Sequence, residues 1–325
     1  MMSHDSMADT WSLVTYHTGD DPVERVGTLG ADGVVRAVPE LRDYQGLMPA
    51  LWDWPDVATI LQRCDRHRQD PVEKAKILAP LRYPRKILCA GANYWSHLRE
   101  MGGSLDQRAL QDPFFFLLPA TSIVGPGDPI EIPADDHANV DWEAELGVVI
   151  GRSGRNVPVE SARNHIAGYT ICNDISARGF HRRSSYPAPP FEWDWLRSKG
   201  RDTFLPIGPG LTPAWLVNDP HDLGLRLWVN DNLKQNARTS DLILDIWHLV
   251  AAASQTVTLE PGDIVTTGTP DGVGAARGEF LRSGDVVTVE IDGLGRLSNP
   301  VRTELRPRAV VEGAIPTSSP ATGTT

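Results

Sequence analysis

Val140-Asp-Trp-Glu-Ala-Glu-Leu-Gly-Val-Val-Ile150 is the stretch from which the rest of the chain is best approached. In an extended segment alternate side chains point to opposite faces. Trp142, Ala144, Leu146, Val148 and Ile150 therefore look one way, and Asp141, Glu143 and Glu145 the other. The first set is apolar and reads as core. On the second face, three acids within five residues would repel one another and cost desolvation if buried bare. A divalent cation removes that conflict; the alternative is a solvent-facing strand whose acids pair with Lys or Arg. The pattern makes the chain a candidate metalloenzyme.

At 325 residues there is enough chain for one large domain or two unequal ones, each with its own core. With 41% apolar and 22% charged residues the composition is that of a soluble globular protein, and no apolar run approaches the ~20 residues that span a bilayer. Met1 to Thr10 lacks the basic start and apolar stretch of a signal peptide, so a cytoplasmic location and no membrane partner are expected. Cys64, Cys89 and Cys172 have no metal-ligand spacing and are expected to be reduced. A net charge of −11 without a concentrated basic stretch argues against nucleic acid as a partner.

Residues 11 to 40 read as a small antiparallel sheet turning at Ala31-Asp-Gly33, and Leu47 to Arg66 as a helix. Pro80 to Pro84 marks a boundary, which gives a small N-terminal β/α domain over 1–80. A larger domain over 81–312 and a disordered Ser/Thr/Pro-rich tail over 313–325 follow. The larger part is predominantly β, an α+β class of fold. Pro126-Gly-Asp, Pro261-Gly-Asp and Ser283-Gly-Asp each lead into Ile or Val, as turns between strands do. Helices are few; Glu160 to Ala167 is short, and Thr239 to Ala253 is the best, with Thr239 or Ser240 as its cap.

Asp174 follows the apolar segment Ala167 to Cys172. If that segment pairs beside Glu143 and Glu145, Asp174 completes a three-carboxylate site suited to Mg²⁺ or Mn²⁺. His97 and Glu100 share one face of a helical turn at i, i+3, where the carboxylate can orient the imidazole as a general base. A surface helix with an incidental His/Glu pair is the alternative. Gly102 and Gly103 would let this segment move as a lid. Tyr94 could offer its hydroxyl to a bound oxygen or simply pack.

Five stretches together resemble the fumarylacetoacetate hydrolase superfamily. They are Gly91-x-Asn-Tyr-x-x-His-x-x-Glu100, Glu143-x-Glu-Leu-x-Val-Val-Ile-Gly151 and Asn173-Asp-x-Ser-Ala-Arg178, then Lys199-Gly-x-Asp-Thr-Phe-x-Pro-x-Gly-Pro209 and Thr267-Gly-Thr-Pro-x-Gly-Val273. The resemblance runs from about residue 84 to 305. It implies a mixed β-sandwich roll, a homodimer, and Mg²⁺ or Mn²⁺ held by Glu143, Glu145 and Asp174. It also implies a water-activating pair in His97 and Glu100. Arg178, Lys199 and Thr269 would fall where members hold the oxo-acid end of the substrate, with Lys199 near the chemistry; a structural ion pair for Arg178 and a surface place for Lys199 are the alternatives.

Three departures from the family pattern stand out. His181 replaces a common Gln, Leu118 replaces a common Lys before Pro119, and an aromatic loop runs from Tyr186 to Trp195. His181 reads either as an extra substrate contact or as a loop histidine with a structural hydrogen bond. The implied substrate is a small oxo acid. The expected reaction is metal-dependent hydrolysis of the C–C bond of a 2,4-dioxo acid, such as an acylpyruvate, to pyruvate or a related oxo acid. Isomerisation of a 2-hydroxydienoate, or decarboxylation of a β-oxo acid such as oxaloacetate, is the alternative.

Overall fold

A computed structural model describes residues 10–65, 69–103 and 112–304. The tail expected to be disordered lies outside the described residues, as do the basic residues Arg66 to Arg68. The architecture is predominantly β, as the sequence predicts. A sheet of eleven strands has the strand Ala144–Ile150 near its middle, antiparallel to Ile166–Asn173 on one side and to Ile264–Thr266 on the other. Ile87–Gly91 follows, parallel to Ile264–Thr266. A second, five-stranded sheet contains Gly224–Val229, Val286–Ile291 and Gly295–Thr303.

The two sheets meet over one apolar layer. Leu146, Val148, Ile150, Tyr169 and Ile171 pack there with Leu225, Leu227, Val289 and Leu297. The opposite face of the large sheet is covered by the helices Leu47–Trp52 and Trp54–Arg63, where Leu51, Trp54 and Val57 pack on Val149, Ala167 and Leu205. Ala144–Ile150 is thus buried on both faces over its whole length. The face that begins with Glu145 ends apolar at Val149, so its acids sit at one end of an otherwise dry strand.

The expected N-terminal antiparallel sheet is present as Trp11–Thr18, Asp21–Gly30 and Val35–Ala37. Its first strand continues the large sheet through the pair Leu13↔Leu211, so both regions contribute to one core. The predicted helix over 47–66 is two helices broken at Asp53. Pro55, with no amide hydrogen to give, stands in the first turn of the second.

The three Gly-Asp turns share one device. Asp128, Asp263 and Asp285 each accept a hydrogen bond from the amide three residues earlier, at Gly125, Glu260 and Arg282 (3.0, 2.7 and 2.7 Å). The best predicted helix begins later than expected, at Ile246. Its cap is Asp245, which accepts from His248 N at 2.9 Å, rather than Thr239 or Ser240. Thr239 instead donates to Pro220 O and accepts from Leu223 N. Asp245→Ala is expected to cost about 1 kcal/mol of stability, read as a lower thermal midpoint. Among the described residues no helix is long and apolar enough to cross a membrane.

Candidate metal centre and proton-transfer site

The pairing Ala144↔Asn173 sets Glu143 and Asp174 side by side where the two strands end, and Asp174 N donates to Glu143 O at 2.9 Å. Here the strand expected from Val140 to Ile150 is interrupted. Asn173 Oδ1 takes the Glu143 amide (3.0 Å) and Gln235 Oε1 takes the Ala144 amide (2.9 Å), so two side-chain carbonyls replace a ladder partner. The break frees Glu143 to turn toward Glu145 and Asp174. One carboxylate oxygen from each of the three lies within 4.8 Å of the others, and all three residues are buried.

Asp141 does not join them, which corrects the expectation of three acids on one face. It lies in a separate two-residue strand, Val140–Asp141, paired with Ser176–Ala177. Its carboxylate accepts from Gly274 N (2.6 Å), Ala275 N (3.0 Å) and Arg178 Nε (2.9 Å). Arg178 also donates to Glu143 through its other arm. Lys199, itself buried, bridges Glu143 Oε2 (2.8 Å) and Asp174 Oδ2 (2.7 Å), which excludes a surface role for it.

Four buried carboxylates, Asp141, Glu143, Glu145 and Asp174, therefore face two cations, Arg178 and Lys199. With all four ionised, two negative charges would be left uncompensated. Burial would raise Glu143, yet Lys199 and Arg178 together hold it below the usual carboxylate range. Burial pushes Glu145 well above that range, with Asp174 and Glu143 adding to the push. Burial also raises Asp174, against the pull of Lys199. Asp174 Oδ1 is buried without a hydrogen-bond partner, a costly state for a carboxylate oxygen. An all-oxygen donor set with a surplus of two charges and an orphaned buried oxygen fits a hard divalent cation.

His97 stands in the helix Trp95–Glu100, which begins just past the strand Ile87–Gly91. Asn93 fastens the approach, with its amide donating to Leu244 O (3.0 Å) and Thr267 O (3.1 Å). His97 Nδ1 is 2.9 Å from Glu100 Oε2, and Glu100 Oε1 accepts from Gly272 N at 2.9 Å. A carboxylate oxygen accepts, so Nδ1 is the donor of this pair, and in the neutral ring Nε2 then carries the lone pair. Only 6% of His97 is exposed, which excludes the incidental surface pair.

A cavity of about 310 Å³ is lined by His97, Glu143, Glu145, Asp174, Arg178, Lys199, His181 and Thr269. Its other wall is aromatic, with Trp195 stacked 5.0 Å from Phe116. Tyr94 does not line it. The ring is fully buried in the core between the sheets, so packing is its observed place. Leu118 packs in the other core. The Thr269 hydroxyl is committed, donating to Ala144 O and accepting from Gln235 Nε2 (both 2.9 Å). Gly268, at φ +84°, lets its amide meet Glu145 Oε2 at 2.9 Å.

Gln235 was not singled out in the sequence, since an amide in Asn232–Arg238 reads as an exposed strand residue. It is 1% exposed and ties Thr269, Pro270 and Asp271 to the Ala144 amide between the two glutamates. Gln235→Leu leaves several of these groups unpaired and is expected to cost ~2–4 kcal/mol. Urea unfolding measures that loss, and a parallel fall in Mg²⁺ affinity would mark its hold on the carboxylates.

Residues 86–302 match the family described as fumarylacetoacetate (FAA) hydrolase, C-terminal. An oxaloacetate tautomerase of Xenopus laevis, named as mitochondrial, is 38% identical over 305 residues, covering 91% of this chain and 92% of that relative. Two solved structures are each 30% identical to the chain. One is a fumarylacetoacetate hydrolase from psychrophilic Exiguobacterium antarcticum (TM-score 0.76, covering 91% of this chain and 100% of that one). The other is a maleylpyruvate hydrolase from Sphingobium sp. SYK-6 in complex with manganese(II) and pyruvate (TM-score 0.72, 90% and 99%). Matches of this extent make the chain a member of the fumarylacetoacetate hydrolase family of enzymes.

Proposed function

We propose that the protein moves a proton between carbon and oxygen of a small 2-oxo acid, interconverting the enol and keto forms of oxaloacetate. The observation that carries this is that His97, held by Glu100, lines the same small cavity as the three-carboxylate cluster. A divalent ion such as Mg²⁺ or Mn²⁺, held by Glu143, Glu145 and Asp174, would supply a positive centre that polarises the 2-oxo group. Toward the enol, His97 Nε2 takes the proton from C3 and delivers it to the oxygen at C2; toward the keto form it takes the enol O–H proton and returns it to C3. Glu100 keeps the imidazole oriented and steadies the positive charge it gains. Arg178 and Lys199 are ion-paired with the carboxylates, and from the same cavity wall they add positive potential near the oxygen at C2. The buried position of His97 limits competing exchange with bulk water.

Hydrolysis, the reaction expected from the sequence, needs a positioned water in addition to the same base. It is kept as the second reading, supported by the maleylpyruvate hydrolase among the structural relatives. Tautomerisation is preferred for two reasons. Its base, His97, lines the cavity and no positioned water is required, and the relative aligned over 91% of this chain bears that activity in its name. A cavity near the low end of the ~300–1,000 Å³ range suits a reactant of few carbons. The homodimer and a cytoplasmic location belong to the same proposal.

Enol-oxaloacetate mixed with the Mg²⁺-loaded protein should lose its enol absorbance faster than the buffer control, with no release of CO₂ or pyruvate. Pyruvate and a carboxylic acid released from acylpyruvates would instead select hydrolysis. Release of CO₂ from oxaloacetate would select decarboxylation.

A further inference from the structure

Beside the carboxylate cluster and the proton-transfer pair, one more described side chain of the cavity carries a buried polar atom without a partner. His181 Nε2 is buried without a hydrogen-bond partner, and its ring lines the cavity. The ring does not lie there by looseness of the loop. His181 N donates to Arg178 O (3.2 Å), and Asp194 N donates to His181 O (2.8 Å). Edge-on packing then holds the imidazole against Trp195 and Trp193, with centroids 4.1 and 5.3 Å away. The structural hydrogen bond considered for this side chain is not made by Nε2. Burial, with Arg178 and Lys199 nearby, favours the neutral ring.

The other cations of the cavity are already engaged. Arg178 spans Asp141 and Glu143, and Lys199 spans Glu143 and Asp174. Around His181 the wall is apolar, made by Phe114, Phe116 and Trp195. A substrate held at its 2-oxo-acid end by the carboxylate side of the site would extend its far end along this wall. With the proton of the neutral ring on Nε2, a far end that accepts a hydrogen bond pairs this nitrogen.

We infer that His181 reads the distal carboxylate of the substrate and makes the site selective for 2-oxo dicarboxylates over their monocarboxylate counterparts. The inference rests on the proposed function and narrows its substrate class. A donor between aromatic walls and beside two cations forms a charge-assisted hydrogen bond with a carboxylate. The analogue lacking that carboxylate leaves the buried nitrogen unpaired. The expected discrimination is roughly 10- to 100-fold.

Malate and lactate test it directly, because they share a 2-hydroxy-acid head, differ in the distal carboxylate and cannot enolise. In calorimetry with the Mg²⁺-loaded protein, malate should bind at least ~10-fold more tightly than lactate. His181→Ala should erase most of that preference, and His181→Gln, which keeps an N–H donor, should retain part of it. Equal binding of the two acids by the unaltered protein overturns the inference, and so does a preference that survives in His181→Ala. The unaltered protein alone decides the matter if the Ala variant does not fold. Deuterium exchange at C3 of oxaloacetate separates the two levels. Absent exchange with the malate preference intact would discard the tautomerase reading and keep the role of His181.

Discussion

Turnover in His97→Ala is expected to fall by ~10³-fold, within the range for loss of a positioned general base, while Mg²⁺ and malate binding change by no more than about threefold. The separation follows from geometry. His97 lines the cavity, and its own hydrogen bond goes to Glu100, which is anchored on Gly272 N, so no carboxylate of the cluster is held by a hydrogen bond to the imidazole. Glu100→Gln should cost less, about 10- to 100-fold, because the amide oxygen still accepts from Nδ1 but cannot steady a charged ring. Steady-state kinetics on enol-oxaloacetate and calorimetry on the same preparations check both variants. Full turnover in His97→Ala would remove it as the base, whichever reaction the site performs.

Asp174→Asn should produce the other large effect, with an unusual pairing of signs. Mg²⁺ affinity is expected to fall by about 100-fold and turnover with it, since the buried unpartnered Oδ1 belongs to a full carboxylate in the native chain. The ion-free protein, however, should melt no lower than the unaltered one, and above it if the amide finds a partner. The ion-free site holds four carboxylates against two cations, and removing one negative charge relieves a surplus that burial makes expensive. Differential scanning calorimetry with and without Mg²⁺ reads both halves. A marked loss of stability in ion-free Asp174→Asn would mean that the charge is needed to hold Lys199 and that the surplus is not real.

Much of the site was legible because its members sit in short local patterns. Alternation along Ala144–Ile150 located Glu145 and the core face, and i, i+3 spacing located His97 and Glu100. Asp141 was misplaced for an instructive reason. Alternation assumes an unbroken strand, and the break at Trp142 and Glu143 depends on Asn173 and Gln235, the second of which is 91 residues from the Ala144 amide it takes. Tyr94 carried a plausible hydroxyl, but only the packing between the two sheets shows that the ring is core. The helix cap moved from Thr239 to Asp245 because the Thr239 hydroxyl is taken by Pro220 and Leu223, a contact no local pattern announces.

By itself the order of residues determined that strands would dominate, that acids would end a dry strand, and which histidine had a carboxylate within one helical turn. These are properties of neighbours along the chain, set by backbone geometry alone. Only the tertiary structure decided that Arg178 and Lys199 are spent on the acids, that Asp141 serves Arg178 instead of the cluster, and that His181 is left with a buried nitrogen facing the cavity. The physical reason is that charge balance and hydrogen-bond satisfaction in a buried site are settled between groups far apart in the chain, and they acquire values only when folding takes them out of water.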